Sequence, residues 1–319
     1  MLARCEVEYT KSVPADLPRH LLVKLPRPDR PADLMDELGR KEVTFYRDVA
    51  AHLSGVPIPR CLAADVTAPG RWHIVLEDLS ETHTQPQWPV PPADAACAAA
   101  VDALAVVHAA LWNDPRIETD LGNSLTAQDV ADNTRQATEL ATRFVAFLGD
   151  RLSATRQRAY EQVVRGLPRL WEWWARPEAR TLVHGDAHAW NLLFPREATG
   201  DGSTSGMPGP VYLIDWQTWR VGVPTFDLAT FMVLDWYPER RARLEGRLLS
   251  RYHDRLCALG VRGYPWEMCW MDYRMAAANT LFTPAWRWDN GTEAQYWWPH
   301  LERALSAFED LDCAALLVS

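Results

Sequence analysis

Two short segments carry most of the chemistry open to this 319-residue chain. The first is Leu182-Val183-His184-Gly185-Asp186-Ala187-His188-Ala189-Trp190-Asn191-Leu192-Leu193-Phe194. The second is Val211-Tyr212-Leu213-Ile214-Asp215-Trp216. Each sets an apolar strand against a carboxylate. Asp186 and Asn191 stand five positions apart, and with Asp215 they form the set that in-line phosphoryl transfer requires. One carboxylate accepts or orients the proton of a hydroxyl acceptor, while an amide oxygen and a second carboxylate hold magnesium against phosphates. Magnesium takes hard oxygen ligands, and Asn191 and Asp215 supply them. A rival chemistry uses the alternating His184, Asp186 and His188 as metal ligands of a hydrolase. That reading needs further His or Asp ligands from other strand ends. Failing both roles, the two histidines are hydrogen-bonded loop residues, with His188 the better placed to approach phosphate or magnesium.

A second pair of residues asks for explanation. The chain has three lysines, Lys11, Lys24 and Lys41, against thirty arginines. Lys24 lies in Leu21-Leu22-Val23-Lys24-Leu25, on the same strand face as Leu22. An ammonium in such a strand either faces solvent at a sheet edge or takes a counter-charge or a ligand phosphate. The helix that follows favours the second option. Its apolar stripe runs through Leu34, Leu38, Phe45, Val49 and Leu53, and Glu42 falls on that stripe. Glu37, Lys41, Thr44 and Asp48 point elsewhere. A buried Glu42 beside a buried Lys24 is the economical solution, and it is the arrangement by which kinases orient a triphosphate.

The elements that position these residues fall into two groups. Strands are expected at 2–10, 20–25 and 72–77, with a helix at 33–53 ended by Gly55-Val56-Pro57. Residues 80–92 are polar and Pro-rich and read as a hinge or linker. Helices follow at about 93–112, 126–148 and 153–175, then a strand–loop–strand block at 181–216. Its segment 199–210 (TGDGSTSGMPGP) reads as a hairpin tip without chemistry. Helices near 225–235, 239–259, 265–283 and 293–312 complete the chain. Strands grouped first and helices later predict an α+β fold. The expected division is a β-rich part at 1–79, the linker at 80–92 and a helical part at 93–319.

Composition narrows the classes. With 48% hydrophobic residues the chain can bury a sizeable core, and a net charge of −9 argues against nucleic acid and against an anionic membrane surface. No apolar run is long enough for a transmembrane helix, and the N-terminus lacks a secretion signal. The six cysteines are scattered with no CxxC pair, so neither a zinc site nor a disulfide framework is indicated, and a reduced, cytoplasmic protein is expected.

The HGDxHxxN block, the IDW strand and the continuation WQTWRVGVPTFDLA (216–229) resemble the aminoglycoside phosphotransferase/choline kinase superfamily. Within it the likeness is nearest to the ecdysteroid-kinase-like branch and its bacterial relatives, from about residue 2 to at least 235. The resemblance implies a protein-kinase-like two-lobed fold with a small β-rich N-lobe and a large, mainly helical C-lobe. It also implies a kinase that moves the γ-phosphoryl group of ATP or GTP, with Mg2+, onto a hydroxyl of a small metabolite or antibiotic. Carried over by position, Asp186 is the catalytic base and Asn191 and Asp215 are magnesium ligands. Lys24 touches the phosphates and pairs with Glu42, and the hinge Glu77-Asp78-Leu79 reads the base. Asp227 braces the catalytic loop, and His184 and His188 support it. The family also has a β-hairpin with a phosphate-covering loop ahead of its lysine strand. Here 23 residues precede Lys24 and the first glycine is Gly39. If 2–10 is the strand before the lysine strand, that hairpin is missing or belongs upstream of Met1. Its loss would leave a nucleotide-binding pseudokinase as the alternative.

The acceptor side is expected among the C-terminal helices, where Trp270, Trp286 and Trp288, with Trp266, Trp297 and Trp298, offer either core packing or an aromatic wall. Residues 220–319 hold 13 acids and 11 arginines. This near balance ranks a neutral or apolar alcohol above an aminoglycoside polycation. Gln217 stands where choline kinases usually carry Glu, which ranks choline last.

Overall fold

The computed structural model describes residues 1–10, 17–26, 32–116, 126–196 and 209–318. All but the last two residues of the expected hairpin tip at 199–210 lie outside the described residues. The chain divides into two compact units, one formed by Met1–Pro92 with Trp190–Trp219, the other by Ala93–Ala189 with Arg220–Ser319.

In chain order the elements are β1 (Leu2–Glu6), β2 (His20–Lys24), α1 (Ala32–Thr44), β3 (Cys61–Ala68), β4 (Arg71–Glu77) and β5 (His83–Thr84). Then come α2 (Asp94–Ala110), α3 (Ala127–Leu148), α4 (Ala154–Arg165), α5 (Leu167–Ala175) and β6 (Thr181–Val183). They are followed by β7 (Leu192–Pro195), β8 (Tyr212–Leu213), β9 (Arg220–Gly222), α6 (Thr225–Ala229) and α7 (Pro238–Ala258). The last four are α8 (Trp266–Asn279), α9 (Phe282–Asp289), α10 (Ala294–Asp310) and α11 (Ala314–Leu317). The fold is α+β, with a small antiparallel sheet in one unit and a mainly helical second unit.

The first unit carries a four-stranded antiparallel sheet in the order β1-β2-β4-β3. Lys24 pairs with Ile74 and Leu22 with Leu76, so both sit on a central strand. The helix that follows is continuous in path but not in type. After Thr44 it widens into a π-turn over Phe45–Val49 and tightens into a 3-10 turn over Ala50–His52. A π-turn adds one residue to the stripe, and Glu42, Val43, Phe45, Tyr46 and Val49 are all buried. Gly39 lies where α1 comes closest to the sheet: a Cβ there would stand 1.9 Å from the Trp72 ring. The helix therefore accepts the roughly 1 kcal/mol cost of an interior glycine to let the indole in.

Three features of the first unit differ from expectation. The strand β3 was not foreseen: its run CLAADVTA is small and polar for a strand, as suits a half-exposed edge. The Pro-rich stretch 80–92 contains β5, which pairs with β7 (His83↔Pro195, Thr84↔Phe194). The first strand also ends at Glu6, short of residue 10.

The second unit is built on helices with wholly buried faces, among them α2, where Ala100, Val101, Leu104, Ala105 and Val107 are inaccessible. The expected 153–175 helix is two, broken at Gly166, with Pro168 starting α5. The two-stranded sheet β6-β9 sets Leu182 opposite Val221 and Val183 opposite Arg220. Among the described residues no helix is long and apolar enough to cross a membrane, and all six cysteines are free thiols.

Candidate active site

In the first unit Lys24 and Glu42 meet as their positions predicted, and a third group joins them. The Lys24 ammonium donates to Glu42 Oε2 at 2.5 Å and to Asp215 Oδ1 at 2.5 Å. Burial pushes the Lys24 pKa down, but Glu42 and Asp215 outweigh it and leave the ammonium above its ordinary value. Glu42 is 2% exposed. Burial, opposed by Lys24 and reinforced by the negative charge of Asp215, lifts its carboxyl to about 7. One cation serves two carboxylates.

The backbone around Asp215 is specialised. Asp215 sits in the left-handed region (φ 66°, ψ 60°), where a non-glycine residue needs support. That support comes from the 3-10 turn Trp216–Thr218 that follows it. The Trp216 ring stacks on Phe45 at 4.0 Å with planes 6° apart. Trp216 Nε1 donates to Leu213 O at 3.1 Å, and its backbone N–H donates to Glu42. Trp219 Nε1 donates to Lys41 O at 2.8 Å. Thus α1 and the π-turn after it are tied to the 216–219 segment by one ring stack and two hydrogen bonds. Neither Phe45 nor Trp219 stood out in the sequence. Their signal, aromatic residues flanking the two acidic positions, is visible only once the pairing is known.

Asn191 reaches the same end of the hairpin through the ladder. Leu192 pairs with Leu213, and Ile214 N–H donates to Asn191 O at 3.0 Å. Asn191 is 7% exposed. On Asp215 both recorded donors, Lys24 and Gln217, reach Oδ1. Among the described residues no donor reaches Oδ2. The Asp215 carboxylate and the Asn191 side-chain amide carry hard oxygens of the kind a divalent cation takes.

Glu77 and Leu79, expected at the hinge, are also in this unit. Glu77 Oε1 accepts from Arg60 N–H at 2.7 Å. The Leu79 carbonyl accepts from the N–H groups of Thr82 (3.1 Å) and His83 (2.8 Å), closing a turn. The Leu79 carbonyl is thus committed to this turn.

In the second unit Asp186 lies 3.5 Å from His188 Nε2. Burial alone would raise the Asp186 pKa. The His188 imidazole, then the Arg287 guanidinium and His184, outweigh it and hold the carboxyl at about 2. Burial lowers His188, but Asp186 and, further off, Asp235 carry it above its ordinary value. His184 is fully buried, and its Nδ1 accepts the Asp186 N–H at 3.3 Å.

Asp227, also fully buried, closes the loop around these residues. Its Oδ2 accepts from His184 N–H at 2.7 Å and lies 3.1 Å from His108 Nε2, while Oδ1 accepts from Gly185 N–H at 2.9 Å. His108 in turn contacts Tyr252 OH at 2.7 Å. Burial works to raise the Asp227 pKa, and these donors, His108 foremost, pull it below its ordinary value. His108 and Arg220 were not anticipated. The Arg220 guanidinium lies over the rings of Phe226 (4.5 Å) and Trp174 (5.3 Å) and feels Asp227 and Asp186.

The tryptophans singled out for the acceptor are not equivalent. Trp270 stacks with Trp266 at 6.2 Å. Trp288 packs on Phe144 (5.4 Å) and Phe147 (4.9 Å) of α3. Trp286 is 57% exposed. The hydrolase alternative finds no support in the geometry. His184 spends its ring nitrogen on the backbone, and among the described residues no three His, Cys, Asp or Glu side chains are grouped to hold a metal.

Known proteins bear on this geometry. The profile of the phosphotransferase enzyme family matches residues 13–266. No curated protein matches the sequence. Among solved structures, a choline/ethanolamine kinase family protein from Mesorhizobium loti is 13% identical. It covers 93% of this chain and 86% of its own, with a TM-score of 0.55. The GDP complex of aminoglycoside 2'-phosphotransferase-IIIa is 12% identical, over 91% and 85%, with a TM-score of 0.55. A gentamicin complex of APH(2")-IIa is 16% identical, over 94% and 87%, with a TM-score of 0.53. At these identities the likeness is one of fold.

Proposed function

The chain belongs to the phosphotransferase enzyme family, and from that premise we propose that it is a small-molecule kinase transferring the γ-phosphoryl group of ATP or GTP to a hydroxyl. The observation that carries this reading is the Lys24 ammonium held between Glu42 and Asp215 at 2.5 Å from each. A half-buried cation gripped by a helix carboxylate and a hairpin carboxylate is poised for polyphosphate. On nucleotide binding Lys24 exchanges the Asp215 oxygen for phosphate oxygens and keeps Glu42, which fixes its direction. Asp215 and Asn191 would hold a magnesium ion, which would offset phosphate charge. Asp186 stays ionised at any physiological pH and accepts a hydrogen bond from the acceptor hydroxyl, aligning its oxygen and taking its proton as the new P–O bond forms and the bond from the γ-phosphorus to the β–γ bridging oxygen breaks, releasing the nucleoside diphosphate. Transfer is direct, with no phospho-enzyme. The Leu79 N–H meets the base. The acceptor is a neutral or apolar alcohol before an aminoglycoside, with choline last.

The test is nucleotide binding by calorimetry with and without Mg2+, followed by a nucleotide-consumption screen across aminoglycosides, macrolides, nucleosides, sugars, sterols and choline. Wild type should bind Mg·nucleotide, and Asp215→Ala should lose the magnesium-dependent part. Nucleotide binding without transfer to any acceptor and without slow hydrolysis would instead identify a pseudokinase.

A further inference from the structure

We propose that Gln217 is a positioning residue that sets the Asp215 carboxylate for a divalent cation; this rests on the reading of Asp215 as a metal ligand. Gln217 Nε2 donates to Asp215 Oδ1 at 2.7 Å, the same oxygen that Lys24 Nζ holds at 2.5 Å. Two donors on one oxygen fix the rotation of the carboxylate and turn the other oxygen, Oδ2, out of the hydrogen-bonded set. That rotation needs fixing, because the terminal torsion of an aspartate is broad.

The two donors differ in permanence. Lys24 sits on a flexible stem, and in the proposed reaction it leaves Asp215 for phosphate. Gln217 lies two residues beyond Asp215 on the 3-10 turn Trp216–Thr218. That turn is anchored by the Trp216–Phe45 stack and by the Trp216 Nε1 bond to Leu213 O. When Lys24 departs, Gln217 is the donor that remains on Oδ1. An amide is also the right chemistry for the position. It donates a hydrogen bond and adds no third negative charge beside Glu42 and Asp215. A carboxylate could not donate to Oδ1 and would compete for Lys24.

The experiment uses the full chain and reads metal binding directly. Mn2+ is titrated by electron paramagnetic resonance in the presence of ADP. ADP binding is measured separately by calorimetry in EDTA. Gln217→Met keeps the length and removes the donor, and Gln217→Asn leaves an amide one methylene too short. Both should weaken Mn2+ binding about tenfold, as expected for losing a hydrogen bond to a charged group, and leave metal-free ADP binding and the urea midpoint unchanged. A Met variant that binds Mn2+ as wild type does, while Asp215→Asn does not, overturns the proposal and leaves Asp215 in its role. Equal losses with and without metal also overturn it, because the side chain then acts through packing. An Asp215→Asn protein with wild-type Mn2+ affinity removes the metal reading itself, and Gln217 falls with it.

Discussion

Replacing Glu42 with glutamine should make the folded protein more stable at alkaline pH while crippling nucleotide binding. Burial, only partly offset by Lys24, raises the Glu42 carboxyl from 4.5 to about 7. At about 1.4 kcal/mol per tenfold in proton affinity, holding that group ionised in the folded chain costs about 3 kcal/mol. The sign follows from proton uptake. Between pH 4.5 and 7 the folded state binds a proton that the unfolded state has released, so the penalty is absent below pH 4.5, grows to pH 7 and is constant above. Glutamine keeps an oxygen for Lys24 and for the Trp216 N–H but never ionises. Urea denaturation of wild type and Glu42→Gln at pH 4.5 and pH 8 therefore measures one difference of differences, in which any fixed cost of the substitution cancels. The variant should gain about 3 kcal/mol on wild type between the two pH values. A margin that stays the same at both would show that Glu42 is not held against its ionisation, and that the account of one ammonium shared by two carboxylates is wrong. In parallel, the variant should bind Mg·ATP at least tenfold more weakly, because Lys24 keeps no charged partner on α1 to direct it.

Two further outcomes are expected. Asp186 is held at about 2, so its charged form persists until pH falls toward that value. The pH–rate profile should show no ionisation near 4, and Asp186→Asn should abolish transfer with nucleotide affinity retained; an acid limb centred near pH 4 contradicts this. Asp227→Ala strands two backbone N–H groups and the His108 ring in a fully buried site. At roughly 1–3 kcal/mol for each of the three stranded groups, it should cost at least about 3 kcal/mol by urea denaturation, and a loss below about 1 kcal/mol would show that the loop is held by something else.

The pairing of Lys24 with Glu42 was legible because both residues break a regular apolar pattern, one on a strand and one on a helix stripe, and a pattern states where a side chain points. The second partner of Lys24 came only from the family resemblance, which set Lys24 and Asp215 around one nucleotide. Asp215 is 191 residues away, and no local periodicity encodes a contact made by a left-handed turn. The same limit applies to Phe45 on Trp216, where each residue type was visible and the meeting of the two was not. Among the elements, β3 was missed because Ala63, Ala64 and Asp65 lack strand character, and its place at the sheet edge comes from pairing with β4. The break at Gly166 was there to be read from the following Pro168. The role of Gly39 was not, since only the placing of the Trp72 ring, 1.9 Å from where a Cβ would stand, explains why no side chain fits there.

The first unit is assembled from two stretches of chain, Met1–Pro92 and Trp190–Trp219, with the second arriving after about a hundred residues spent elsewhere. Trimming the gene at residue 92 would yield a polypeptide with an exposed Phe45 ring, a Lys24 lacking one of its two anions, and β5 stripped of its partner strand. Dissecting this protein into independently expressed pieces therefore calls for a grafted or circularly permuted design that brings the 190–219 hairpin along, and a simple stop codon will not do it.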